Sequence, residues 1–235
     1  MPGGRKRRFR CQGTLERDAR AAGYTLVAGA DEAGRGSLFG PVSAAAVILS
    51  PGRPIRGLRD SKELPAERRE DLAREIRQAA VAWAVAAVDA FLIDRINTYN
   101  ASCLAMKRAI EQLVPAPDCV LLDGVRIEMP LPSQRVIHGD AKCQAIAAAS
   151  ILAKVDRDRW MKEWDEVFPV YGFRRHKGYG TAEHLQALAA AGPTLHHRFT
   201  YEPVRAACPR SFWALRSLRE ELHFGWPAGG ASQWG

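Results

Sequence analysis

The chain has 235 residues, 47% hydrophobic and 26% charged, the balance of a globular protein that buries one sizeable core rather than two. Its longest apolar runs, such as Val81 to Val88, are far too short to span a bilayer, and the basic start from Met1 to Arg10 leads into no apolar stretch of a secretory signal, so a cytoplasmic protein is expected. The formal net charge of +8 suggests a polyanionic partner.

In chain order, residues 1–20 come first, with seven Lys/Arg against two Asp/Glu, a net of +5 that leaves +3 for the rest. This segment is expected to be a disordered basic arm, either a non-specific hold on nucleic acid or a solvated tail. Tyr24 to Ala30 reads as a buried strand ended by Asp31-Glu32 and a glycine-punctuated loop. Val42 to Leu49 is a second strand, with Pro41 turning into it. Leu64 to Ala79, with Pro65 in its first turn, predicts an exposed helix. Val81 to Val88 is a strand or a buried helix, and Asp89 to Leu113 carries helical spacing up to Pro115. Cys119 to Leu122 and Arg135 to Ile137 are short strands ending near Asp123-Gly124 and Gly139-Asp140. A long helix is predicted from Ala141 to about Phe168, apolar all round in its first half and therefore central. A loop from Tyr171 to Gly180, a helix from Ala182 to Ala191 and a last helix near Phe212 to Leu222 complete the chain. Strands alternating with helices indicate an α/β protein. Five scattered cysteines without a C-x-x-C pair argue for reduced thiols rather than disulfides or zinc.

Three strand ends carry a carboxylate beside glycine: Asp31-Glu32 before Ala33-Gly34, Asp123 before Gly124, and Asp140 after Gly139. Ligands and catalysis gather at strand ends in α/β folds. Four carboxylates converging there would repel one another unless divalent cations neutralised them, and all-oxygen ligation suits Mg²⁺ or Mn²⁺. A pair of such ions is a standard solution for phosphodiester hydrolysis. Any one of these residues alone is more commonly a turn or helix cap, and Asp140 could be only the N-cap of the long helix. Gly34-Arg35-Gly36, following the acidic pair, shifts the balance. Its glycines allow backbone to approach a sugar-phosphate closely, and its guanidinium offers a fork to phosphate.

Six blocks in order, VAGADEAGRGSLFGPV (27–42), DSKEL (60–64), LLDG (121–124), GDAKCQAIAAASILAKVDRD (139–158), YGFRRHKGYGT (171–181) and LHHRFTYEPV (195–204), resemble the type 2 ribonucleases H, the ribonuclease HII family. The resemblance implies a ribonuclease H-like α/β fold over residues 21–208, a mixed sheet flanked by helices with a helical C-terminal region, and leaves 209–235 as a further helix and tail. It implies a monomeric endonuclease that hydrolyses the RNA strand of RNA–DNA hybrids and incises 5′ of single ribonucleotides in duplex DNA. Two-metal catalysis would leave 5′-phosphate and 3′-hydroxyl ends and serve ribonucleotide excision repair.

By motif, Asp31, Glu32, Asp123 and Asp140 match the catalytic, metal-binding carboxylates. Gly34, Arg35 and Gly36 match the loop that senses the ribose 2′-hydroxyl, Tyr179 matches a tyrosine stacked on the next sugar, and Lys62 matches a position near the phosphate backbone. Ser37, His138 and Ala147 stand where the family commonly has proline, lysine and serine; none is a metal ligand. A type 3 ribonuclease H is disfavoured by the few residues ahead of Asp31, and a catalytically silent hybrid-binding protein by the intact four acids.

Overall fold

The central strands are built from small residues, and that decides what can lie against them. A computed structural model describes residues 13–208. Strands β1 (Val27–Ala33), β2 (Val42–Ile48), β3 (Ala82–Val88), β4 (Cys119–Asp123) and β5 (Ser133–Val136) form one mixed sheet in the order β3-β2-β1-β4-β5. β1 runs parallel to β4, with Val27 opposite Cys119 and Ala30 opposite Leu122, and β4 runs parallel to β5. β2 is buried at every position, as expected of a strand covered on both faces. Edge strand β3 alternates instead, which settles its apolar run as strand rather than helix.

The helices are α1 (Thr14–Ala21), α2 (Ala66–Ala79), α3 (Ala90–Glu111), α4 (Gln144–Val167), α5 (Phe173–His176), α6 (Ala182–Ala191) and α7 (Glu202–Ala206). The chain divides into two compact units. Of the described residues, one takes in 13–31, Ala45–Ala84 and Ile110–Leu152; the other takes in Glu32–Ala44, Val85–Ala109 and 153–208.

In the first unit, Val27, Leu121, Val136, Cys143, Ala145 and Ile146 form a buried cluster, with Leu15, Ala19 and Tyr24 packed against it. α1 therefore occupies the end of the segment expected to be an arm: its apolar face has a partner. Its Glu16 carboxylate accepts the Ala145 N–H (2.8 Å) and so caps α4. Asp118 accepts the N–H groups of Thr25 (2.7 Å) and Leu26 (3.0 Å), pinning the chain at its entry to β1. β1 meets α4 almost backbone to backbone. A Cβ added at Gly29 would lie 2.3 Å from both the Ala145 carbonyl carbon and the Ile146 nitrogen.

In the second unit, Phe39, Met161, Tyr171, Phe173, Leu188 and Phe199 form the core, with the Phe39 and Phe173 rings stacked at 3.8 Å. Three buried histidines, His176, His184 and His197, cross it, with the His176 and His184 rings stacked. The Thr194 N–H donates to His197 Nδ1 (2.9 Å), so the His197 proton sits on Nε2. That nitrogen lies 3.1 Å from His184 Nε2, leaving His184 Nδ1–H to donate to the Tyr179 carbonyl (3.0 Å). The relay requires neutral rings. Burial, chiefly, lowers His184 to about 4 and His197 to about 2.

Several sequence expectations change. β1 does not break at Asp31-Glu32 but continues through both to Ala33. α3 is interrupted at Asn97 (φ +66°, ψ 165°), whose side-chain oxygen accepts the Asn100 N–H (3.0 Å) and restarts the helix. The long helix begins at Gln144, because Gly139–Ala141 forms a separate 3₁₀ turn. Asp140 is thus not its N-cap. The expected loop from Tyr171 contains the single turn α5, and α7 was not anticipated. The helix expected near Phe212 to Leu222 and the tail lie outside the described residues, as does most of the expected arm. Cys103, Cys119, Cys143 and Cys208 are free thiols, and no helix among the described residues is long and apolar enough to cross a membrane.

Two outcomes follow from this packing. Gly29→Ala forces β1 away from α4 and is expected to cost about 3 kcal/mol or more, read as a lowered urea midpoint. Because His184 and His197 protonate more readily unfolded than folded, the stability they contribute is complete above their ordinary value of 6.5. It is lost as pH falls from there toward 4. His184→Gln is expected to flatten that acid limb of the stability profile; an unchanged slope would disprove the neutral relay.

Candidate active site

Asp31, Asp123 and Asp140 come from three separate elements of the first unit: β1, the end of β4, and the 3₁₀ turn Gly139–Ala141. One carboxylate oxygen from each lies within 4.8 Å of the others. Asp31 and Asp140 are buried, and Asp123 is half-buried. The turn is held to β4 by the Gly139 N–H, which donates to Asp123 Oδ1 (2.7 Å). Glycine leaves room there, since a Cβ would lie 2.5 Å from Ile146 Cδ1 and 3.0 Å from Asp123 Oδ1. His138, just before it, takes the left-handed conformation (φ +55°).

Negative charge is concentrated at this point. The Asp140 carboxyl is raised to about 6, first by burial and then by the charges of Asp60 and Asp123, against the pull of Lys62. Lys62 is affected in the opposite sense. Burial lowers its pKa, but Asp60, Asp31, Asp140 and Asp123 together outweigh that and raise it. Asp60 accepts the Lys62 N–H (2.9 Å), shaping the 3₁₀ turn Ser61–Glu63. The Ser150 hydroxyl of α4 donates to Ser61 Oγ (2.8 Å) and ties this turn to the helix. Asp60 was missed as a site residue, although it opens the DSKEL block; an acid two positions before a lysine carries no signal by itself.

Glu32 is not among the three grouped carboxylates. It belongs to the second unit, where its Oε1 pairs with Arg35 Nη1 at 3.1 Å. In the same unit Gly34 (φ +91°) provides a backbone conformation that side chains resist. Ser37 forms an isolated antiparallel bridge with Tyr179, and a Cβ on Gly36 would be 4.0 Å from the Tyr179 ring. The Gly34–Gly36 loop and Tyr179, more than 140 positions apart in sequence, therefore meet within this unit.

Comparison with known proteins agrees with this architecture. The family model described as Ribonuclease HII matches residues 28–204. A protein named Ribonuclease HII from Solibacter usitatus is 59% identical over 206 residues, covering 88% of this chain and 90% of its own. Among solved structures, the ribonuclease H2 of Pyrococcus horikoshii superposes with a TM-score of 0.67 at 24% identity, over 78% of this chain and 97% of that one, a likeness of fold. The ribonuclease HII of Archaeoglobus fulgidus, determined in complex with PCNA, gives a TM-score of 0.65 at 27% identity, over 76% and 96%. With residues 28–204 matched by the family model and a relative this similar along most of its length, the chain belongs to the ribonuclease HII family.

Proposed function

We propose that the protein is a divalent-metal-dependent endonuclease that hydrolyses RNA paired with DNA and incises on the 5′ side of single ribonucleotides in duplex DNA. The observation that carries this reading is the trio Asp31, Asp123 and Asp140, gathered within 4.8 Å of one another with two of the three buried. Such proximity is unfavourable for carboxylates alone, and the Asp140 carboxyl is raised first by burial and then by the charges of Asp60 and Asp123. An all-oxygen set under mutual repulsion fits Mg²⁺ or Mn²⁺. These three residues would hold the metal, with Glu32 proposed as the fourth ligand from its place in the sequence block. When bound, a pair of such ions supplies an activated water and stabilises the leaving oxygen.

The chain's own groups supply position and selectivity. Lys62, exposed on its turn and feeling the charge of four aspartates, is held where a phosphate would find a fixed cation. The Gly34–Gly36 loop brings backbone and the Arg35 guanidinium to the substrate sugar, and it is the 2′-hydroxyl that separates RNA from DNA there. Tyr179 would stack on the neighbouring sugar. Free thiols at all four described cysteines accord with a reducing, cytoplasmic setting.

A DNA duplex with one ribonucleotide is expected to be nicked 5′ of it with Mg²⁺ or Mn²⁺ and left whole with chelator; an intact duplex under both conditions would overturn the proposal. Asp31→Asn is expected to lower turnover roughly 10³-fold, the loss of several kcal/mol of transition-state stabilisation. Stability reads the same site without activity. The Asp140 carboxyl is raised in the fold to about 6, so the metal-free protein gains stability from it as pH falls from 6 toward the ordinary carboxylate range and loses it above. In chelator, Asp140→Asn is expected to raise the melting temperature at pH 8 and leave it unchanged near pH 4. Mn²⁺ is expected to stabilise the unsubstituted protein more than this variant.

A further inference from the structure

The second unit buries two arginines, Arg157 of α4 and Arg198, both with no exposed surface. Both donate to carbonyl and hydroxyl oxygens. Arg157 donates from Nε to the Pro41 carbonyl (3.1 Å), from Nη2 to Ser37 Oγ (2.7 Å) and the Phe39 carbonyl (3.3 Å), and from Nη1 to the Lys177 carbonyl (3.0 Å). Arg198 donates from Nε to the Gly40 carbonyl (3.0 Å) and from Nη1 to the Arg35 carbonyl (2.7 Å). The Arg35 carbonyl also receives the Tyr201 hydroxyl (2.5 Å). The backbone from Arg35 to Pro41 is thus gripped from within by donors on two guanidinium planes.

Arg157 reaches both halves of the sugar-facing surface. Its guanidinium carbon lies 5.4 Å from the centre of the Tyr179 ring, and its bond to Lys177 holds the strand of chain leading to that residue. On the other side it passes so close beneath Gly34 that a Cβ there would fall 2.1 Å from Nε. Burial draws the Arg157 pKa down to about 10, which leaves it a cation at neutral pH.

We propose that Arg157 is a positioning residue for ribose recognition: one buried fork fixes the Gly34–Gly36 loop and Tyr179 as a single rigid reader. It rests on the functional reading above. Arg157 touches no substrate; it acts through the two groups that do. Its five donors in one plane match carbonyls arriving from two segments, a geometry that a lysine ammonium cannot reproduce.

A double-mutant cycle between Arg157→Lys and Tyr179→Ala tests this, with turnover and KM measured on the single-ribonucleotide duplex in Mg²⁺. Arg157→Lys keeps the charge and is expected to lower kcat about 100-fold with KM changed less than about threefold, since misplacing a positioned group by an ångström has that order of effect. In the Tyr179→Ala background the same exchange is expected to cost at least about threefold less, because part of its action runs through Tyr179. A residue that merely supports the fold would cost the same factor in both backgrounds, and that outcome overturns the proposal, as does wild-type turnover in Arg157→Lys. An unchanged Mn²⁺-induced rise in melting temperature is expected to show that the carboxylate site is intact. If Arg157→Lys does not fold, Ser37→Ala removes one partner of the fork and carries the same cycle, with an expected loss of about fivefold. Failure of the unsubstituted protein to nick the duplex would sink both readings, whereas nicking with equal factors would sink this one alone.

Discussion

The contact on which the grouping of the three aspartates depends is the approach of β1 to the first turn of α4 at Gly29, where no Cβ can be accommodated. Gly29 and Asp31 are two apart on a strand and so share a face. The register that seats Gly29 against Ala145 and Ile146 therefore carries Asp31 toward the turn leading into the same helix. Ile146 in turn fills the space that a side chain at Gly139 would need, and the Gly139 N–H fixes Asp123. Three carboxylates from distant parts of the sequence are thus located by two missing side chains and one helix start. Glu16, by capping that start from α1, adds a fourth piece of sequence to the same construction.

The two units handle buried charge in opposite ways. In the first, acids are gathered beside Lys62, and the cost is visible in a carboxyl that holds its proton up to about pH 6. Charge left in that condition is poised for a cation. In the second unit two buried cations donate to carbonyl and hydroxyl oxygens, so the charge is spent on backbone geometry. The neutral histidine relay extends the same pattern, since His184 holds the carbonyl of Tyr179 without adding charge to the core.

Much of this was legible in the sequence, and what was not has physical causes. Asp31, Asp123 and Asp140 could be read because strand ends and glycines mark where carboxylates are presented, and the ordered blocks gave the ribonuclease H-like fold. The break expected after Ala30 was misread because a carboxylate looks like the end of an apolar strand. Here the strand continues through both acids to Ala33. Asp140 as a helix cap was a fair local alternative that only the separate 3₁₀ turn removes. α1 was hidden by the charge around it: Leu15 and Ala19 are too few to announce a helix until Tyr24 and Ile146 are there to receive them. Arg157 and Arg198 gave no signal, since a sequence full of arginines does not say which are buried.

The choice of arginine at those two places follows from what the Arg35–Pro41 segment requires. A loop that turns its carbonyls inward buries acceptors, and an apolar side chain filling the same volume would leave each one without a donor, at roughly 1–3 kcal/mol apiece. Burying a cation is itself unfavourable, and an apolar replacement often stabilises a protein where the charge has no such work. Here the acceptors come from two segments and converge on one plane, and Arg157 answers four of them at once. The cation is retained because the loop conformation is retained. Glycine at position 34 leaves that backbone too free to hold its own shape, and the guanidinium beneath it provides the stiffness that the glycine gives up.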